Sequence, residues 1–261
     1  MQSNRTLRAQ GGEILGQAAA ILSLGVFLPF QLIRPWTSFE REQVIRQCWV
    51  VLGEGAFVIL LALAVLSGVL ILELSYHLKL VVQQDNLVPP FSYLLLAREL
   101  LPVVVAFLLT ARSGASMASE LGIMAQSEQL DSLHIFGVSW VRFLVLPRVV
   151  ASCVAHVFLG ALGLVIALLS SALASSVFGL RSMAEYLQFV FLMAEPKDLM
   201  ELFSKSIAFG YTMPIIACAL GAQCRGGSEG VGKVTHQSVT LQSIMIILMD
   251  FVLTFLFFAR S

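Results

Sequence analysis

RELLPVVVAFLLTARSGASMASELGIMAQSEQLDSLHIFGVSWVRFLVLPR, residues 98 to 148, sets charged side chains into a stretch that otherwise reads like hydrocarbon. A charge at the centre of a bilayer costs about 2.5 to 3.5 kcal/mol on insertion scales, so intramembrane ionisable residues are retained for a role. Arg98, Glu99, Arg112 and Glu120 are therefore the first functional candidates, and Asp250, set between apolar neighbours near the other end of the chain, is the next.

The whole chain supports a membrane reading of this stretch. Of its 261 residues 58% are hydrophobic and 12% charged, and the mean hydropathy is +0.88, whereas soluble domains carry about 25% charged residues. Sixteen basic residues balance sixteen acidic ones, so no basic field favours nucleic acid, and charge acts here through position. Cys48, Cys153, Cys218 and Cys224 form no C-x-x-C pair, and with the scattered histidines they read as buried free thiols, with no metal expected. His156, in mid-segment, reads as a hydrogen-bonding residue inside the bundle.

A membrane-crossing helix needs about 20 mostly apolar residues. Five segments meet that length, near 50–76, 91–119, 143–175, 199–222 and 238–258, the third running on toward Leu180. The fold class expected is thus an all-α polytopic membrane protein forming a single membrane domain over 1–261. Residues 13–34 are apolar but broken by Gln17, Pro29 and Gln31, and they predict a helix lying in the membrane interface, the alternative being a sixth span. With the N-terminus inside, Arg5, Arg8, Arg34, Arg41, Arg46, Arg112, Arg142, Arg148, Arg225 and Lys233 fall on the cytoplasmic side. Lys79, Arg98, Arg181, Lys197, Lys205 and Arg260 fall on the other, which satisfies the positive-inside bias. Residues 122–142 then form a cytoplasmic loop containing a short helix. Ser127 is its expected cap, Glu128 and Asp131 suit its first turn, and Gly137 closes it. At about 100° per residue Leu130, Leu133 and Phe136 share one face, opposite Glu128 and Asp131.

The ordered series Arg98-Glu99, Pro102-Val103, Arg112-x-Gly114, Glu120-Leu121-Gly122-x-Met124, Glu128-Gln129-Leu130-Asp131, Gly137-Val138 and Pro147-Arg148 resembles the signature of MlaE-type permeases. These are membrane subunits of ABC systems that move phospholipid between bacterial membranes. The likeness thins through Lys205-Ser206, Gly226 to Thr235 and Asp250 to Thr254. Leu101 and Ala111 depart from it, standing where the family usually has glycine, and so does Ser139-Trp140 in place of Asp-Pro.

The resemblance implies a non-catalytic inner-membrane subunit without a cofactor. Its partners would be a second copy of itself, a cytoplasmic ABC ATPase, an MCE-domain lipid-carrying protein and phospholipid. On that reading Arg98, Glu99, Glu73 and Tyr76 line the lipid cavity, and Glu128, Gln129, Leu130, Asp131, Leu133 and Phe136 couple to the ATPase. Arg112, Glu120 and Asp250 are structural charges, Asp250 being expected to meet Lys205, Arg98 or a hydroxyl. Gly227 to Val234 approaches a P-loop but ends in Val234 where a magnesium-binding hydroxyl is required, so it reads as a flexible glycine-rich turn and not a nucleotide site. The alternative class is an ion-coupled secondary transporter, with Glu73, Glu99 and Asp250 as proton carriers; no internal repeat supports it. An intramembrane enzyme has no catalytic constellation at usable spacing.

Overall fold

The computed structural model describes residues 2–32, 38–53, 55–81 and 87–259, and these are helical throughout apart from short turns. In chain order the helices are α1 (Gln2–Leu32), α2 (Ser38–Gly53), α3 (Ala56–Val81), α4 (Val88–Gln126), α5 (Gln129–Ile135), α6 (Val141–Val177), α7 (Met183–Met193), α8 (Pro196–Gly221) and α9 (Gly227–Phe258). Five of them, α3, α4, α6, α8 and α9, are long and apolar enough to cross a membrane. The all-α, five-span expectation therefore holds.

Several boundaries move. α1 begins well before residue 13; its apolar part, Gly16–Gln31, is shorter than a span, and residues 33 and 34 of the expected interfacial helix lie outside the described residues. α4 continues to Gln126, shortening the expected 122–142 loop from its start. α2 and α7 were not legible as separate helices. The run toward Leu180 stops at Val177, where Gly179 takes φ +66 and the amides of Gly179 and Leu180 bond back to the carbonyls of Ser176 and Ser175. That arrangement is a glycine-terminated C-cap. α7 then starts from a capping box between Ser182 and Glu185.

The glycine-rich turn is a correction. Only Gly226 (φ +98) and Gly227 (φ +68) use left-handed backbone; residues from Gly227 onward are already α9. Gly230 is small for a steric reason, since a Cβ there would collide with the carbonyl of Arg225. The glycines let the helix start hard against the preceding turn, and tertiary packing overrides their weak helix propensity.

Prolines inside helices explain another set of contacts. A proline lacks the N–H that would bond to the carbonyl four residues earlier. Pro29 leaves Gly25 O open in this way, and the Tyr211 hydroxyl donates to it at 2.5 Å. Pro102 leaves Arg98 O open, and the preceding turn, Leu96–Leu100, widens so that Leu101 N reaches Leu96 O five residues back. Replacing Tyr211 by phenylalanine should strand the Gly25 carbonyl and destabilise the protein by about 1 kcal/mol or more. Thermal unfolding of the detergent-purified variant measures this; an unchanged midpoint counts against it.

The chain divides into two compact units. One comprises Met1–Val51, Leu109–Ser152 and Gly210–Met245; the other comprises Leu52–Leu108, Cys153–Phe209 and Ile246–Ser261. In the first, Gly221 of α8 lies so close to α4 that a Cβ would sit 2.7 Å from Ala118 O and 2.9 Å from Leu121 Cβ. In the second, Ala106, Phe209 and Ile246 form a buried cluster, and Ser170 and Ser171 of α6 donate to the carbonyls of Ala64 and Ser67 on α3. Small residues and hydroxyls bring apolar helices together where there is no water to drive them.

Candidate functional site

Lys205 lies at the centre of the charged residues in the second unit. It is fully buried on α8, and its Nζ donates to Arg98 O (2.7 Å), Glu99 Oε2 (3.0 Å) and Thr254 Oγ1 (2.7 Å). Asp250 Oδ1 lies 2.9 Å from the same nitrogen and Glu201 Oε1 3.5 Å. The carbonyl freed by Pro102 thus becomes one ligand of an ammonium that would otherwise be buried at great cost. Thr254 relays further, donating to Glu99 at 3.3 Å. Asp250 meets Lys205, one of the partners expected for it.

Arg98 belongs to a second, adjoining pair. Its Nε donates to Asp198 Oδ1 at 2.7 Å and its Nη2 lies 2.6 Å from the same oxygen. Asp198 is wholly buried, and its other oxygen accepts from Glu195 N; Tyr93 also bonds to it. Arg98 and Glu99 diverge, as neighbours on a helix must, yet each finds an opposite charge on α8. Their side chains remain about one-third exposed, 32% and 35%, so this otherwise buried cluster presents a polar edge.

Glu73 and Tyr76 are placed elsewhere. Both are exposed on α3, and Glu73 pairs with His77 at 3.4 Å one turn on. Asp198 and Glu201 were missed in the sequence. The signal was available: Asp198, Glu201 and Lys205 recur at i, i+3 and i+7, one face of a helix, in a segment whose expected start at 199 cut Asp198 off.

In the first unit Glu120 joins Arg148 (2.7 Å) and accepts from Ser116 (2.9 Å), while Arg112 is exposed within a widened turn, Thr110–Gly114. His156 is buried, and Cys218 and Cys224 are buried free thiols; Cys48 and Cys153 are half-buried.

α5 is the expected short helix with two changes. Ser127 does not cap it: its hydroxyl turns back to Ile123 O (2.8 Å), ending α4, and Glu128 starts α5 from a left-handed conformation, φ 57. Gly137 closes α5 as expected, at φ +72, with its amide and that of Val138 bonding to His134 O and Leu133 O. Gln129 and Asp131 are exposed, Leu133 is half-buried and Leu130 is buried against the protein's own body. The apolar surface α5 offers outward is Ile135 (82% exposed) and Phe136 (81%). A polar cleft of about 760 Å³ beside it includes Glu128, Asp131, Arg225 and Lys233. Gln126 ties its rim, accepting from Gly227 N at 3.0 Å.

Sequence comparison shows the family. The family model described as Permease MlaE matches residues 44–256. The chain belongs to the MlaE permease family. A "Probable ABC transporter permease protein" of Rickettsia prowazekii is 29% identical over 243 residues, 93% of each chain. "Protein TRIGALACTOSYLDIACYLGLYCEROL 1, chloroplastic" of Arabidopsis thaliana is 36% identical over 163 residues, 62% of this chain but only 46% of the plant protein. A "Probable ABC transporter permease protein" of Synechocystis is 32% identical over 163 residues, 62% of each. The match of this MlaE-family permease spans Arg98, Glu99, Asp198, Lys205, α5 and most of α9.

Proposed function

We propose that this MlaE-family chain is the non-catalytic permease subunit of an ABC transporter that moves phospholipid or a related lipid between membranes. Two copies hold the lipid in a cavity, a separate ATPase supplies the energy through α5, and an MCE-domain protein receives or delivers the lipid, at a bacterial inner membrane. The observation that carries the reading is the polar edge formed by Arg98 and Glu99 within a long apolar helix. It offers an amphiphile both charge and hydrocarbon contact, and it needs the buried ties to Asp198 and Lys205 to persist in low dielectric. The Arabidopsis relative bears the name of a galactolipid, which favours a lipid substrate. α9 favours a second copy or lipid beside it, with only 11% of its most apolar window buried. Arg98 is already neutralised by Asp198, so its role toward a headgroup is that of a positioned donor with little net charge.

Proteoliposomes containing the permease, its ATPase and a fluorescent phospholipid, with the MCE protein outside as acceptor, test this reading against ion coupling. ATP should drive lipid transfer, and a proton or sodium gradient without ATP should not. Arg98→Lys should retain part of the rate, because an N–H donor and the tie to Asp198 survive without the planar fork. Gradient-driven transfer in the absence of the ATPase would establish the secondary-transporter reading instead.

A further inference from the structure

A separate cavity of about 260 Å³ lies in the unit that carries α5, lined by Arg46 and Gln47 of α2, Glu120 of α4, and Phe143, Leu144 and Arg148 of α6. Its chemistry differs from that of the Lys205 cluster. Arg148 is only 3% exposed, and its Nη2 donates to Glu120 Oε2 at 2.7 Å. Its Nε and Nη1 are buried with no acceptor among the described residues. The Cys218 thiol lies against the guanidinium, but a neutral thiol is a weak acceptor. A guanidinium cannot shed its proton to escape such burial, so a cation held here by one carboxylate is short of acceptors.

The rest of the lining says what kind of group would supply them. The lining holds two arginines and one carboxylate, a single net positive charge, and Gln47 adds an amide. Phe143 and Leu144 supply an apolar wall. Backbone geometry opens the same place: the turn Val141–Val145 is widened, with Leu146 N bonded to Val141 O five residues back, and such bulges recur at functional sites. Several oxygen acceptors, one negative charge and an apolar neighbour describe a phosphodiester on an amphiphile, and basic pockets between membrane helices take anionic headgroups by this chemistry.

We propose that this cavity binds a phosphate group, Arg148 and Arg46 donating to its oxygens and the glycerol or chain portion resting on Phe143 and Leu144. The site is independent of the transport reading above and shares no residue with it. The source is a lipid of the adjacent leaflet or a soluble phosphate, and the two are separable. The full-length permease in detergent is titrated with dihexanoyl phosphatidylglycerol below its micellar concentration, followed by native mass spectrometry. Dihexanoylglycerol serves as the uncharged analogue.

Arg46→Gln should weaken phosphatidylglycerol binding about tenfold, the loss of one charge-assisted contact, while Arg41→Gln, an exposed arginine of α2 outside the cavity, should not. Arg148→Lys should weaken it as well; should that variant fail to fold, exposed Arg46 still decides the question. The uncharged analogue should bind at least about tenfold more weakly. Displacement by millimolar inorganic phosphate would identify a soluble anion as the source, and resistance to it a leaflet lipid; either result upholds the site. Equal affinity of the wild type and Arg46→Gln, or equal binding of the uncharged analogue, would overturn it.

Discussion

Lys205→Ala should eliminate the folded permease. The ammonium is fully buried and within 3.5 Å of three carboxylates, Glu99, Glu201 and Asp250, besides a carbonyl and a hydroxyl. Its removal leaves like charges facing one another in low dielectric, and breaking a buried pair by deleting one partner costs about 3 to 5 kcal/mol. That is a large share of the 5 to 15 kcal/mol or so by which proteins are stable. Size-exclusion chromatography after mild detergent extraction should show aggregate in place of the sharp peak of the wild type. Adding Asp250→Asn to Lys205→Met should restore part of the folded fraction, because the carboxylate that lost its counter-charge is gone too. A monodisperse Lys205→Ala protein with wild-type thermal stability would show that the cluster does not hold α8 to α4 and α9.

The second large effect is expected at α5 and should leave the fold alone. Ile135 and Phe136 are more than four-fifths exposed, so their replacement by aspartate removes apolar surface that the permease itself does not use. On the proposed role of α5, Ile135→Asp with Phe136→Asp should lower the ATPase recovered with the tagged permease at least about tenfold, since aromatic anchors dominate interface energetics. The permease should keep its elution volume and unfolding temperature. Full recovery of the ATPase would remove this end of α5 from the interface. Leu130→Asp is a poorer probe, because Leu130 is part of the protein's own core and its loss would confound folding with docking.

The contrast between Leu130 and Phe136 shows how far the sequence could be read. Apolar length is a strong signal because the bilayer demands it, and all five long helices were legible on that basis. The short helix between α4 and α6 was also legible from its punctuation, Gly137 above all. Which of its apolar residues faces inward was not, since a seven-residue helix presents apolar side chains on more than one face and only tertiary packing chooses among them. Asp250 was legible as a charge that needs a partner in hydrocarbon, but the sequence left Lys205, Arg98 and a hydroxyl all open, and packing chooses Lys205. Asp198 and Glu201 escaped notice at the mouth of a segment where charges look like ordinary flanking residues. The start of α9 escaped for the opposite reason: glycines that suggest flexibility serve close approach to Arg225.

The interrupted helices have a consequence for inheritance. Pro102 opens the carbonyl that Lys205 occupies, and Pro29 opens the one that Tyr211 occupies. In each case a backbone defect in one helix is made good by a side chain distant in sequence, so the donor cannot be lost without cost while the proline stands. A lineage that replaces Pro29 regains a local N–H and releases Tyr211 to change, whereas Lys205 stays tied to three carboxylates whatever stands at 102; one that loses the donor first strands an acceptor in the bundle. For Pro29 and Tyr211 the change is therefore open in one order, proline first, while Lys205 is expected to outlast any change at position 102.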